Sequence, residues 1–160
     1  MSGIVIRQAT VNDSTLIMDM IRELAVYEAL EHEVVATVAD IKRSLFEDGA
    51  TASAIICTLN DKPVGYAIYF FNYSTWLGKN GLYLEDLYVS PKNRKNGAGK
   101  ALLKHLAQIA VSHNCGRLEW SVLDWNQLAI DFYLSLGAKP MEGWVGYRLT
   151  GEALQALANG

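Results

Sequence analysis

Between residues 52 and 89 the apolar residues abandon helical spacing and run as three blocks of strand formers, and any fold for this chain has to accommodate that change of period. Blocks 52–59 and 64–71 flank Asn60-Asp61-Lys62-Pro63, a turn-prone tetrapeptide, and read as an antiparallel hairpin. Block 82–89, closed by Ser90-Pro91, is a further strand. Upstream the period is helical. Leu16, Ile17, Met20, Ile21 and Leu24 form one apolar face after Asn12-Asp13, either of which can cap a helix. Thr37-Val38-Ala39-Asp40 resembles a capping box opening a second helix, with Ile41 and Leu45 inward and Glu47-Asp48-Gly49 at its end. Downstream, helices are expected over 99–112, over 126–136 with Gly137 as a C′ glycine, and over 151–158. Strands 4–8, 118–123 and 144–149 complete the order β-α-α-β-β-β-α-β-α-β, which calls for an α/β (α+β) mixed sheet with helices on both faces.

Nothing divides this pattern. The 160 residues carry no repeat, linker or low-complexity run, so one domain over 1–160 is expected. With 51% hydrophobic and 19% charged residues the chain can bury a core, which excludes a disordered tail. A formal net charge of -3 argues against nucleic acid as the main partner. Cys57 and Cys115 are too few for a disulfide framework and lack metal-ligand spacing, so no metal is expected. The start Met1-Ser2-Gly3-Ile4-Val5-Ile6-Arg7 shows no leader, and the apolar runs fall far short of the ~20 residues a bilayer span needs. A cytoplasmic protein without a membrane partner is the expectation.

The densest information lies where strand 82–89 passes through Ser90-Pro91-Lys92-Asn93-Arg94-Lys95-Asn96-Gly97-Ala98-Gly99-Lys100 into a helix. Gly97 and Gly99 let backbone amides approach a ligand, and a helix N-terminus offers free N–H groups and a positive dipole end. That combination suits a phosphate or pyrophosphate. A Walker loop does not fit, because Arg94 and Ala101 stand where it needs a glycine and a Ser or Thr. A dinucleotide fingerprint does not fit either, because Leu102 replaces the third glycine. A plain strand-to-helix turn is the alternative that the glycines alone leave open.

Arg94-Lys95-Asn96-Gly97-Ala98-Gly99 resembles the Arg-x-x-Gly-x-Gly signature of the GNAT N-acetyltransferases, in its expected place between strand and helix. Ile6-Arg7-Gln8-Ala9-Thr10, Glu23-Leu24-Ala25-Val26-Tyr27-Glu28, Tyr83-Leu84-Glu85-Asp86-Leu87-Tyr88-Val89, Trp125-Asn126, Phe132-Tyr133 and Glu142-Gly143-Trp144 are similar to the spermidine/spermine (diamine) N-acetyltransferase family over essentially the whole chain. Tyr73-Ser74-Thr75-Trp76, Val122-Leu123-Asp124-Trp125-Asn126-Gln127 and Gly151-Glu152-Ala153 resemble its thialysine N-epsilon-acetyltransferase branch. The resemblance implies a GNAT fold with a central, mostly antiparallel sheet, acetyl-coenzyme A as co-substrate, and a homodimer whose neighbouring subunits complete each active site.

It also implies roles. The loop residues Arg94, Lys95, Asn96, Gly97, Ala98, Gly99 and Lys100 would hold the pyrophosphate, and Leu87, Tyr88 and Val89 the pantetheine and thioester. Asn126 and Ala129 would contact the coenzyme as well, and Tyr133 would protonate its departing sulfur. Read without the family, Tyr133 could equally be a core aromatic, since Phe132 and Tyr133 are adjacent and at least one must pack inward. Glu85 is assigned to the amine substrate, as base through water or as cation binder; both roles stay open. By strand alternation it should share a face with Tyr83, Leu87 and Val89, with Asp86 opposite unless a bulge re-aims one of the two. Tyr27, Glu28, Trp76, Asp86, Glu142 and Trp144 fall on the substrate side, where carboxylates and aromatics suit an aminoalkyl cation. His32, His105 and His113 read as surface or helix-end residues, and Cys115 as a small buried residue rather than a nucleophile.

Two departures bear on substrate. Val26 and Ser74 stand where the polyamine branch typically has Lys and Asp. Loss of that acid removes a partner for the far ammonium of a long polyamine, so a shorter amine, such as an amino acid with an aminoalkyl side chain, fits better than spermine. Acetylation of a protein N-terminus or lysine, and a non-catalytic acyl-coenzyme A-binding regulatory module, are the competing functions. A sensor would need the loop but neither Tyr133 nor Glu85.

Overall fold

Strands β1 (Ile4–Gln8), β2 (Ala52–Leu59), β3 (Lys62–Ser74) and β4 (Lys79–Val89) form an antiparallel meander, and β5 (Leu118–Trp120) joins β4 in parallel, giving the order β1-β2-β3-β4-β5. The computed structural model describes residues 3–160; Met1 and Ser2, at the head of the segment read for a leader, lie outside the described residues. The sheet is mixed and mostly antiparallel, as expected. The β2–β3 hairpin turns at Asn60 and Asp61, both left-handed at φ 51 and 67, the conformation a tight two-residue hairpin requires and one that Asn and Asp tolerate.

Helices α1 (Ser14–Tyr27) and α2 (Val38–Phe46) cover one face. Their Ile17, Met18, Met20 and Ile41 pack with Ala54, Ile56, Tyr66, Ile68 and Tyr88 of the sheet in one buried cluster. Each such aliphatic side chain contributes roughly 1.5–3 kcal/mol on full burial. The capping box of α2 is formed as expected: Asp40 N donates to Thr37 Oγ1 at 3.2 Å, and Thr37 N donates to Asp40 Oδ2 at 2.8 Å. At α1 the expected cap differs. Asp13 sits at the N-cap, but its carboxylate accepts from Thr10 N and, through two 2.8 Å bonds, from Arg7, tying β1 to the helix entry. Charge-assisted bonds to the guanidinium outcompete a helix amide and hold the Asp13 carboxyl below its ordinary range.

Helix α3 (Ala98–Ser112) packs on the opposite face, contacting β1 to β4 with Leu102, Leu103 and Leu106 inward. Fully buried Ile55, Cys57 and Ala67 alternate with the α1–α2 cluster residues along β2 and β3, so they line that second face. His105 is half-buried in the middle of α3, not at its surface or end, and Cys115 is half-buried rather than buried.

Two expected strands are corrected. Strand 118–123 is cut to Leu118–Trp120, because its partner β4 bulges immediately after the paired residues Leu82–Leu84. Residues 144–149 form no strand. The chain divides into two compact units, one ending at Leu123 and the other spanning Asp124–Gly160, and the second contains no other strand to pair with Trp144–Leu149. A lone strand has no ladder to satisfy its amides. That second unit consists of α4 (Gln127–Ser135), α5 (Gly151–Asn159) and their connections. Among the described residues no helix is long and apolar enough to cross a membrane.

Candidate active site

The strand β4 is irregular where its functional residues lie. Ile68 faces Asp86 and Tyr69 faces Leu84, so Glu85 is an extra residue without an opposite number on β3. The bulge overturns the face assignment made from strict alternation. Tyr83 pairs with Phe70, their rings 5.3 Å apart, and therefore shares the α1–α2 side with Asp86 and Tyr88, while Leu84, Leu87 and Val89 take the α3 side. Glu85 is exposed at the break. A bulge also bends its strand. Among the described residues no strand pairs with the β5 side of β4 beyond Leu84, so the backbone of Glu85 to Val89 presents an edge.

The carboxylates gather on the α1–α2 side. Tyr66, wholly buried on β3, donates to Asp86 Oδ2 at 2.8 Å, and Tyr88 donates to Glu23 Oε2 at 2.8 Å. Helix α1 ends in a Schellman motif, with Ala29 at φ 57 and Leu30 N donating to Ala25 O at 2.9 Å, which delivers Glu28 to this corner. Burial, and then the nearby Asp86 charge, push the Glu28 carboxyl above its ordinary range. Burial likewise raises Asp86, against the opposing effect of the Tyr66 hydrogen bond. Burial, and then the Glu23 hydrogen bond, push the Tyr88 phenol up to about 12. Among the described residues no Lys or Arg forms an ion pair with Asp86 or Glu28. Two carboxylates thus lie in a partly desolvated corner, Asp86 held by the neutral Tyr66 phenol and Glu28 brought there by the end of α1.

The loop after β4 is shaped by Lys95 at φ 71 and Gly97 at φ 85, two left-handed residues around Asn96. Gly97 is the N-cap of α3 and brings no side chain to its first-turn amides, which find no acceptor inside the helix. Lys92, Lys95, Asn96 and Lys100 are exposed there, a basic surround for an anion. Arg94 does something the sequence did not announce. Its guanidinium carbon lies 4.4 Å from the centroid of the Tyr27 ring, and Nε donates to Val89 O at 3.0 Å. Loop, strand end and helix end are thereby fastened to one another.

In the second unit, Asn126 caps α4 as expected, its Oδ1 accepting from Ala129 N at 3.3 Å. Gly137, at φ 90, closes the helix with Gly137 N to Leu134 O at 3.0 Å and Ala138 N to Tyr133 O at 3.2 Å. Tyr133 therefore sits in the last, doubly tied turn, its ring 5.7 Å from that of Phe132. Glu142 and Trp144 lie in the irregular segment after it.

Structure thus brings Tyr27, Glu28, Asp86, Tyr88, Val89 and Arg94 together, with Glu85 at the adjoining bulge. Trp76 is not among them. It occupies the β3–β4 turn, before Lys79 at the start of β4, which is itself seven residues along the strand from Asp86, or roughly 20 Å at ~3.3 Å per residue. Tyr66 and Glu23 were missed, and nothing local could have found them, because both act across the sheet. Gly65 was also missed, although a lone glycine within a strand pattern is a legible sign of close backbone approach.

Residues 18–138 match the family model described as the acetyltransferase (GNAT) family. The chain is 37% identical to a thialysine N-epsilon-acetyltransferase of Sus scrofa over 99% of both chains. It is 33% identical to the L-ornithine N5-acetyltransferase NATA1 of Arabidopsis thaliana, over 95% of this chain and 86% of that one. Among solved structures, an integron cassette protein from the mobile metagenome of V. cholerae superposes with a TM-score of 0.83 at 30% identity, covering 99% of each chain. Matching fold, matching loop and full-length relatives agree: the chain belongs to the GNAT family and is an acetyltransferase.

Proposed function

We propose that this acetyltransferase moves the acetyl group of acetyl-coenzyme A directly onto a primary amine of a small molecule within a ternary complex. The observation that carries the amine half is the Asp86–Glu28 corner, one carboxylate held by the Tyr66 phenol and the other set by the end of α1, with no Lys or Arg ion-paired to either among the described residues. An alkylammonium supplies the missing charge. The unpaired β4 edge and the Gly97 loop support the coenzyme half: strand amides of Leu87 and Val89 suit the pantetheine and thioester, and α3 amides with Ala98, Gly99 and Lys100 suit the pyrophosphate.

Direct transfer is favoured because burial pushes both thiols, Cys57 and Cys115, above their ordinary range, which disfavours an acyl-cysteine intermediate. The bound amine must lose a proton, and free alkylamines have a pKa near ~10.4. Glu85, exposed at the bulge, takes that proton through water, while Asp86 and Glu28 hold the cation. Tyr133 is the acid for the thiolate, and Asn126 and Ala129 flank the coenzyme at the start of the same helix. Glu142 and Trp144, and Trp76 at the hairpin tip, belong to the substrate side. The whole of 1–160 is one functional domain, a cytoplasmic homodimer in this reading; light scattering at the mass of a single chain would remove the dimer.

Thialysine and L-ornithine in the relatives' names, with Ser74 and Val26 here, point to an amino acid carrying an aminoalkyl side chain. Thiol release from acetyl-coenzyme A across thialysine, lysine, ornithine, putrescine, spermidine and spermine tests this; marked preference for spermine overturns it. Asp86→Asn is expected to raise the KM of the preferred amine about tenfold or more, the worth of one charge-assisted contact, with the KM for acetyl-coenzyme A unchanged. The loop has its own test. Gly97→Ala should raise the KM for acetyl-coenzyme A about tenfold and spare the amine, because left-handed backbone costs an L-residue ~1–2 kcal/mol and moves the amides. A new Cβ there meets nothing nearer than Ile4 Cδ1 at 3.9 Å, so dihedral strain alone sets the loss and the melting temperature should fall by roughly 2–8 °C. Equal KM values for both variants and the parent would separate loop and corner from binding.

A further inference from the structure

We infer that Tyr66 is a positioning residue for the amine site, a phenol in the core of the sheet that fixes the Asp86 carboxylate beside Glu28 without cancelling its charge. The inference rests on the amine site proposed above and adds to it the device that holds it. Tyr66 is wholly buried, and its ring lies 6.2 Å from that of Tyr88, its register partner across β3 and β4. Its hydroxyl reaches diagonally along the strands to Asp86 Oδ2 at 2.8 Å.

The choice of partner has consequences. A lysine or arginine would hold Asp86 equally well, but it would neutralise the charge that an ammonium has to find. A phenol supplies direction alone. Tyr66 also stays a donor, since burial, and then the charges of Asp86 and Glu28, push its own ionisation well above the ordinary phenol range. The second tyrosine of the pair is engaged elsewhere, on Glu23. The ionisable groups facing the corner are therefore Asp86, Glu85 and Tyr88 from β4, Tyr66 from β3, Glu23, Tyr27 and Glu28 from α1 and its cap, and Arg94 stacked on Tyr27.

Tyr66→Phe keeps the ring and deletes the bond. Amine affinity measured from pH 5 to 8, where an alkylammonium of pKa near ~10.4 keeps its charge, isolates the carboxylates. The Tyr66 bond favours the ionised form of Asp86, so its loss raises that pKa. The decline of amine affinity on acidification should then begin at higher pH in Tyr66→Phe than in the parent. At pH 8 amine binding should weaken by about tenfold, with acetyl-coenzyme A binding within about twofold. Tyr66→Phe added to Asp86→Asn should cost little further amine affinity, because the phenol acts through that carboxylate. Asp86→Asn without effect on amine affinity would overturn the amine site itself. If Asp86→Asn weakens the amine while Tyr66→Phe leaves both affinity and acid limb at parental values, the site stands and the positioning role is overturned. Equal weakening of amine and coenzyme by Tyr66→Phe overturns it too, since that is the signature of a general packing defect.

Discussion

Replacing Tyr133 with Phe is expected to lower kcat by ~10²-fold or more while the KM for acetyl-coenzyme A stays within about twofold, as loss of a general acid does. When the tetrahedral adduct collapses, the carbon–sulfur bond breaks and its electron pair goes to sulfur; a phenol at that atom delivers the proton as charge develops. The amine nitrogen has by then surrendered its own proton, so atoms and charge balance without an acyl-enzyme. Backbone order around the residue makes the substitution clean. Tyr133 lies in a turn tied by Gly137 N to Leu134 O and Ala138 N to Tyr133 O, and Phe preserves the ring that stands 5.7 Å from Phe132. A core aromatic, the reading that sequence alone left open, predicts instead an unchanged kcat. Rates of thiol release with saturating amine, beside a melting curve, decide between them. A thioester with a more acidic thiol sharpens the result: its thiolate leaves with less help, so the deficit of Tyr133→Phe should narrow. A deficit that persists unchanged would take the phenol off the sulfur.

What the sequence disclosed and what it withheld divide along a physical line. Features closed by neighbours in the chain were legible: the capping box of Thr37 and Asp40, the turn at Asn60 and Asp61, the Asn126 cap, the Gly137 stop and the glycine loop before α3. Each is settled within a few residues by backbone dihedrals and one or two hydrogen bonds. Features closed across the sheet were not. The bulge at Glu85 exists only as a mismatch between β4 and β3, so alternation read along one strand put Glu85 on the wrong footing. The bonds from Tyr66 to Asp86 and from Tyr88 to Glu23 span 20 and 65 positions, and no local pattern encodes them. The segment 144–149 failed for a related reason: strand propensity is a statement about a partner, and its own unit supplies none.

Gly65→Ala should be among the most damaging single substitutions in the first unit, lowering stability by about 3 kcal/mol, at the upper end for an overpacked core. For a chain of this length that is a fall in melting temperature of roughly 6–12 °C. The cause is backbone against backbone. A Cβ at Gly65 would overlap the carbonyl oxygen of Tyr88 and come within 3.3 Å of both Val89 Cα and Val89 Cγ2. No side-chain rotation relieves that; β3 and β4 have to separate where Gly65 faces Val89. Separation there does more than weaken a ladder. Val89 O is the acceptor for Arg94 Nε, and Ser90 N donates to Val64 O at 2.8 Å, so both attachments of the loop to the sheet shift with the strand end. Surviving folded protein should accordingly show a KM for acetyl-coenzyme A raised about tenfold, the cost of misaligned charge-assisted contacts. Gly78→Ala is the control, because it places an L-residue in a left-handed turn, at φ 66, with nothing within 4 Å of the new Cβ, whereas Gly65 lies in ordinary strand backbone. Strain of dihedral origin alone predicts a larger loss at Gly78; steric opening of β3 from β4 predicts a larger loss at Gly65 and a coenzyme defect confined to it. Melting curves and acetyl-coenzyme A titrations of the two variants side by side therefore test whether the end of β4 is held in place by the absence of a single carbon atom.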